Sequence, residues 1–286
     1  MTEIYDERPC ALGEGPLWHP ERQQLFWFDI LNRCLMTRDQ SGQKSWDLAE
    51  LVSAAGWVDL DTLLIASETG LWRFGLSNGR KELVTPLETD NPVTRSNDGR
   101  ADPWGGFWIG TMGKNAEHGA GAIYRYWRGE LRQLVPDVTI SNAICFAPDR
   151  SCAYFADTAA GQARRWALEG KTGWPIGDSS VFLDFREAGL NPDGAVTDAA
   201  GNIWIAQWGA GRVAVYSPEG SFLRAVSVPA AHTSCPAFGG EDLTTLFCTT
   251  ARQGLDADVI EAQPTNGMTF AARGAGQGRA EYRVIL

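Results

Sequence analysis

The chain has 286 residues, 44% of them hydrophobic, and a formal net charge of −10 from 25 Lys and Arg against 35 Asp and Glu. No stretch is rich in Lys or Arg, which excludes the basic face that nucleic acid or an anionic membrane surface requires. The length allows two average domains or one large all-β domain, and 12 Trp and 32 Gly set among Pro and Asp turns favour strands over helices.

In chain order, the N-terminus reads Met1-Thr-Glu-Ile-Tyr-Asp-Glu-Arg-Pro9, without the apolar core or small-residue cleavage site of a secretory signal. No later apolar run approaches membrane-spanning length. Leu25-Phe-Trp-Phe28 opens a series of apolar strands. Leu63-Leu-Ile-Ala66, Phe107-Trp-Ile-Gly110, Ala153-Tyr-Phe-Ala156, Ile203-Trp-Ile-Ala206 and Leu246-Phe-Cys-Thr249 continue it, at a spacing of about 40–50 residues. Further strands, such as Gly121-Ala-Ile-Tyr-Arg-Tyr126 and Arg212-Val-Ala-Val-Tyr216, follow within most units across Gly or Asn-Gly turns. A period in this range predicts an all-β fold, a six-bladed β-propeller that takes up residues 1–286 as a single domain. A two-sheet sandwich needs no such period, and no Pro-, Gly- and Ser-rich linker divides the chain. Phe185-Arg-Glu-Ala-Gly189 makes at most one helical turn. Cys10, Cys34, Cys145, Cys152, Cys235 and Cys248 form no Cys-x-x-Cys pair and read as reduced core residues of a cytoplasmic protein.

Four segments share a template: Glu14-Gly-Pro-Leu-Trp-His19-Pro20, Asn97-Asp-Gly-Arg-Ala-Asp102-Pro103, Asn142-Ala-Ile-Cys-Phe-Ala147-Pro148 and Asp193-Gly-Ala-Val-Thr-Asp198-Ala199. Each opens on a carboxylate or carboxamide, runs through mostly small or apolar residues to a turn, and precedes one of the apolar strands. In a propeller these residues start the innermost strands, so Glu14, Asn97, Asn142 and Asp193 are predicted to converge at one mouth of the channel. Oxygen donors of this kind suit a hard or borderline divalent metal with open positions for water. Asp and Asn before Gly are also common turn residues, but four copies in one register, and a Glu among them, favour a site. His19, His118 and His232 show no ligand spacing and are expected on the surface or in packing, with His19 in a turn at the far end of its strand. Asp157 is expected to cap a hairpin. No phosphate loop, nucleophile elbow or dinucleotide fingerprint occurs.

These residues resemble the SMP-30/gluconolactonase/regucalcin-like family. The resemblance runs in order through Leu12-Gly-Glu-Gly-Pro16, Arg95-Ser-Asn-Asp-Gly99, Ile140-Ser-Asn142, Pro192-Asp-Gly194, Phe238-Gly-Gly240 and Cys248-Thr-Thr-Ala-Arg252. It implies a six-bladed propeller with one divalent cation in its channel, held by Glu14, Asn142 and Asp193. It further implies that Asn97 lies beside the metal and touches substrate, that Arg95 holds sugar hydroxyls or the carbonyl, and that Asp193 doubles as the base. The loop Met112-Gly-Lys-Asn-Ala-Glu-His118 departs from the pattern of some animal members, with Asn115 where a carboxylate would align, so substrate preference does not carry over.

The expected function is metal-dependent hydrolysis of a sugar lactone (an aldonolactone) to the aldonic acid, with one divalent ion (Ca, Zn, Mn or Fe) as cofactor. The expected partner is the small-molecule lactone, with no nucleic acid and no membrane, and the chain is expected as a monomer or small homo-oligomer. The rivals are a calcium-binding regulatory protein of the same fold without turnover, a phosphoester hydrolase and a non-catalytic interaction propeller.

Overall fold

The computed structural model describes residues 1–286. Its strands form six four-stranded antiparallel sheets arranged as the blades of a propeller. We number the blades by their inner strands: Gly13–His19, Val52–Asp59, Thr94–Ala101, Ser141–Phe146, Asn191–Thr197 and His232–Gly239. Each inner strand touches those of its two neighbours, and the ring closes between blades 6 and 1. In the first five blades the strands follow chain order. In the sixth, the N-terminal strand Thr2–Asp6 adds as the outermost strand beside Thr269–Ala272, so the two ends of the chain are held in one sheet.

The second strand of every blade is packed between sheets and is therefore apolar almost throughout. Gln24–Asp29, for example, is buried at every position. Trp27, Trp108 and Trp204 occupy these strands and are fully buried. The outermost strands are largely exposed, as in Gly42–Asp47 and Phe222–Ser227. The expected strands at 121 and 212 are found as Gly121–Trp127 and Arg212–Tyr216.

One element escapes a periodicity reading. A short helix, Ala257–Ala262, buries no residue and lies in the long connection between the second and third strands of blade 6. Residues 185–189 form only a turn. All six cysteines are free, and all but Cys34 are buried.

The last residues leave the sheets and cross the mouth of the channel opposite the candidate site. Gln277 accepts from Ala199 N, Gly278 N donates to Leu243 O, Val284 N to Trp57 O and Ile285 N to Gly105 O. The tail thereby ties blades 5, 6, 2 and 3 together. Its Glu281 pairs with Arg100, which rises from the inner strand of blade 3 into the channel.

Candidate functional site

The strand pairing tests whether the four polar residues share a register. Trp18 pairs with Leu25, Ala101 with Phe107, Phe146 with Ala153 and Thr197 with Ile203, and Glu14, Asn97, Asn142 and Asp193 each lie four residues before the first member of these pairs. The same rule applied to Trp57–Leu63 and Phe238–Leu246 adds Ser53 and Ser234. The six blades therefore present one ring of polar side chains. Sequence reasoning missed the two serines because the template was read from an opening carboxylate or carboxamide, and these segments open on a hydroxyl.

None of the four is the first residue of its strand; each sits inside it, at an irregularity. The ladder of every inner strand shifts register at this level, between Glu14 and Leu17, Val52 and Ala54, Ser96 and Gly99, Asn142 and Cys145, Pro192 and Ala195, and Thr233 and Pro236. A β-bulge re-aims side chains while keeping the strand. Asn97-Asp98-Gly99 and Asp193-Gly194 are thus bulged strand, not chain-reversing turns. Two glycines are required here. Gly15 has φ +53°, and a Cβ on it would stand 2.2 Å from the Ser53 carbonyl oxygen. A Cβ on Gly194 would meet the Cys235 side chain at 2.3 Å.

Glu14, Arg95, Asn97, Asn142 and Asp193 line one cavity of about 440 Å³ at the mouth of the channel. Their amides form a relay across three blades. Arg95 Nη1 donates to Asn97 Oδ1 at 2.7 Å, and Asn97 Nδ2 donates to Ser141 O at 2.8 Å and to Asn142 Oδ1 at 3.2 Å. Asn142 Nδ2 donates to Thr158 Oγ1 at 2.8 Å, and Thr158 in turn donates to Pro192 O, beside Asp193, at 2.6 Å. The relay fixes which atom of each amide faces the cavity. Each amide oxygen accepts one hydrogen bond, Asn97 Oδ1 from Arg95 and Asn142 Oδ1 from Asn97, and keeps a second lone pair. Both hydrogen bonds of Arg95 leave from Nη1, so Nε and Nη2 are free to serve a ligand.

The carboxylates are left without a cation. Glu14 Oε2 accepts only from Gly15 N, and Asp193 is served by the backbone of Gly194. No ion pair joins either to Arg95. Burial, reinforced by Asp98, pushes the Glu14 carboxyl up to about 8. Burial and then the Glu14 and Asp98 charges push Asp193 well above the carboxylate range. Burial lowers Arg95 to about 10 against the pull of Glu14 and Asp193. Two buried carboxyls this poorly compensated, with an amide oxygen beside them, suit a divalent cation. The molecule holds no cluster of three or more His, Cys, Asp or Glu side chains placed for a metal; the cavity brings together two carboxylates and amide side chains.

Below the ring, Asp98 Oδ2 accepts from Ile144 N at 2.6 Å. Arg100 donates from Nε to Ile144 O at 3.2 Å and from Nη2 to Ala195 O at 3.0 Å. These contacts grip the backbone two residues beyond Asn142 and two beyond Asp193. Thr158, Asp98 and Arg100 are therefore supporting residues; Asp98 and Arg100 lie within the segment 97–103, and Thr158 lies in none of the four segments.

The histidines divide. His19 is buried at the far end of its strand, with Nε2 3.0 Å from Asp59 O and its ring near Trp57. His118 is exposed. His232, expected to be a surface or packing residue, instead lines the cavity together with Trp208. Its neighbours in sequence gave no ligand spacing, and only the ring geometry brings it to the mouth. Asp157 caps its hairpin, accepting from Thr139 N and Ile140 N.

A family model described as SMP-30/gluconolactonase/LRE-like region matches residues 12–252. The chain is 34% identical over 278 residues to a 6-deoxy-6-sulfogluconolactonase of Pseudomonas putida, covering 96% of this chain and 95% of the relative. It is 34% identical over 283 residues to an L-arabinolactonase of Azospirillum brasilense, covering 96% and 92%. Among solved structures, a calcium-binding protein, regucalcin, from Agrobacterium tumefaciens strain C58 superposes with a TM-score of 0.97 at 40% identity, covering 100% of this chain and 98% of that one.

Proposed function

The chain belongs to the SMP-30/gluconolactonase/LRE-like family, and on that premise we propose that it hydrolyses a sugar lactone to the aldonic acid with a divalent cation held by Glu14, Asn142 and Asp193. The observation that carries this reading is the meeting of two buried carboxyls that form no ion pair within the protein and a guanidinium whose Nε and Nη2 have no protein acceptor, all in one cavity. When bound, the cation supplies Lewis acidity to the lactone carbonyl and acidifies water.

The chain's own residues do the rest. Arg95 donates from Nε and Nη2 to the carbonyl oxygen, where negative charge develops as water adds. Asp193 accepts a proton from that water and returns it to the ring oxygen as the ring C–O bond breaks. Asn97 holds Arg95 in place through Oδ1 and orients Asn142 through Nδ2.

The likeness to a calcium-binding regucalcin keeps a binding protein without turnover as the second reading. Incubating the metal-loaded chain with a panel of five- and six-membered aldonolactones, with spontaneous opening subtracted, separates the two. Turnover supports the lactonase, and bound calcium with no turnover supports the binder. A phosphoester substrate fits less well, because Arg95 is the one guanidinium or ammonium group lining the cavity.

A further inference from the structure

Blade 6 stands across the axis from blade 3. The cavity therefore has Arg95 and Asn97 on one wall and His232, with Trp208 from the adjoining blade 5, on the other. The Trp208 and His232 rings stack, with centroids 4.1 Å apart and planes 18° apart. His232 Nδ1 lies 2.9 Å from the Gln253 carbonyl oxygen. A carbonyl can only accept, so Nδ1 carries the hydrogen and Nε2 of the neutral ring is an acceptor. No donor of the protein reaches Nε2, and burial keeps the imidazole below its ordinary value against the effect of Gln253. The one nearby ammonium on the rim loop, Lys114, is engaged elsewhere, by Glu68 at 2.6 Å and by Pro92 O at 3.0 Å.

We propose that the Trp208–His232 pair selects the uncharged polyol end of the substrate, with His232 Nε2 accepting a hydrogen bond from a substrate hydroxyl. The proposal rests on the lactonase reading, which puts the lactone carbonyl at Arg95 and so sends the far end of the sugar toward blade 6. The stacked rings offer a flat face to the C–H side of the sugar. At His232 Nε2 a carboxylate, sulfonate or phosphate would meet a lone pair instead of a donor, and no guanidinium or ammonium group lines that end of the cavity. Burying an anion unpaired is costly, and a site built to bond a hydroxyl discriminates strongly against a group that cannot donate. The protein is thereby a lactonase for neutral aldonolactones, a substrate class apart from the sulfonated lactone in the name of its Pseudomonas putida relative.

The test compares kcat/KM of the full metal-loaded chain on gluconolactone and on the same lactone carrying a sulfonate at C6. We expect the neutral lactone to be preferred by about tenfold or more. His232→Ala is expected to lower kcat/KM on gluconolactone by about tenfold with bound metal and melting temperature unchanged, and His232→Gln, which keeps an acceptor, to restore most of it. His232→Arg is expected to shift the preference toward the sulfonated lactone. Equal or faster hydrolysis of the sulfonated lactone by the wild type overturns the proposal and leaves the lactonase reading intact. His232→Ala with undiminished kcat/KM overturns the role of Nε2. Inactivity of the wild type on both lactones and on other neutral aldonolactones overturns the lactonase reading, and this proposal with it.

Discussion

At the scale of single residues, the site is an excess of negative charge with a free guanidinium nearby. Arg95 cannot ligate a cation, so its loss and the loss of a carboxylate should separate cleanly. Arg95→Ala is expected to leave metal content unchanged and to remove about 1–3 kcal/mol of transition-state stabilisation, read as a fall in kcat/KM; Asp193→Ala is expected to lower metal content itself. Elemental analysis beside kinetics checks both, and an Arg95→Ala protein with normal kcat/KM on its best lactone would place the guanidinium outside the reaction. The raised Glu14 carboxyl adds a pH dependence. Without a cation the folded state holds its proton up to about 8, and a ligand carboxylate must release it to bind metal. The gain in melting temperature on adding Ca²⁺ or Zn²⁺ should therefore grow as pH rises toward that value; a gain that shrinks over the same range contradicts the assignment of Glu14 as ligand.

At the scale of elements, the bulged inner strand is the device that aims these side chains. Its sequence signature is a carboxylate or carboxamide with a turn five residues on, which is why Glu14, Asn97, Asn142 and Asp193 were legible together. The bulge itself was not legible: Asn-Asp-Gly and Asp-Gly read equally well as turns until the ladder shows them inside strands. Ser53 and Ser234 were hidden because they share the register but carry a hydroxyl where the other four carry a carboxylate or carboxamide. Thr158 was hidden for another reason, since it enters the site from the end of a second-strand hairpin and acts only through hydrogen bonds made in space. Gly15→Ala tests the device. The new Cβ would lie against the Ser53 carbonyl oxygen at a left-handed backbone position, so it is expected to cost about 1–3 kcal/mol of stability, measured by denaturant unfolding. An unchanged midpoint would show that blade 2 yields without strain. Thr158→Val, which breaks the link between Asn142 and Pro192 O, is expected to weaken metal binding without unfolding the protein, as the titrated affinity would show.

At the scale of the whole molecule, the period of about 40–50 residues predicted the six blades, and the apolar second strands predicted where the core lies. Which end would close the ring, and what would cap the channel, had no local signal. Both depend on pairing between residues at opposite ends of the chain, Thr2 with Ala272 among them. The C-terminal tail joins this closure to the site, because Glu281 neutralises the buried Arg100 that grips the strands carrying Asn142 and Asp193. Glu281→Gln removes the carboxylate paired with that guanidinium and leaves only Asp98 to compensate it, and is expected to destabilise the protein by up to about 3–5 kcal/mol, seen as a lower unfolding midpoint; a neutral outcome would mean that the tail merely lies over the channel. The central claim is that the ring of inner-strand oxygens holds a divalent cation on which lactone opening depends. Its most direct measurement is the rate of aldonolactone hydrolysis by chelated protein before and after stoichiometric return of Ca²⁺, Zn²⁺, Mn²⁺ or Fe²⁺, with spontaneous opening subtracted. The account predicts a rate at background in the chelated protein that is restored by at least one of these ions in wild type and not in Asp193→Ala. Equal rates in chelated and metal-loaded wild type, above background, would contradict it.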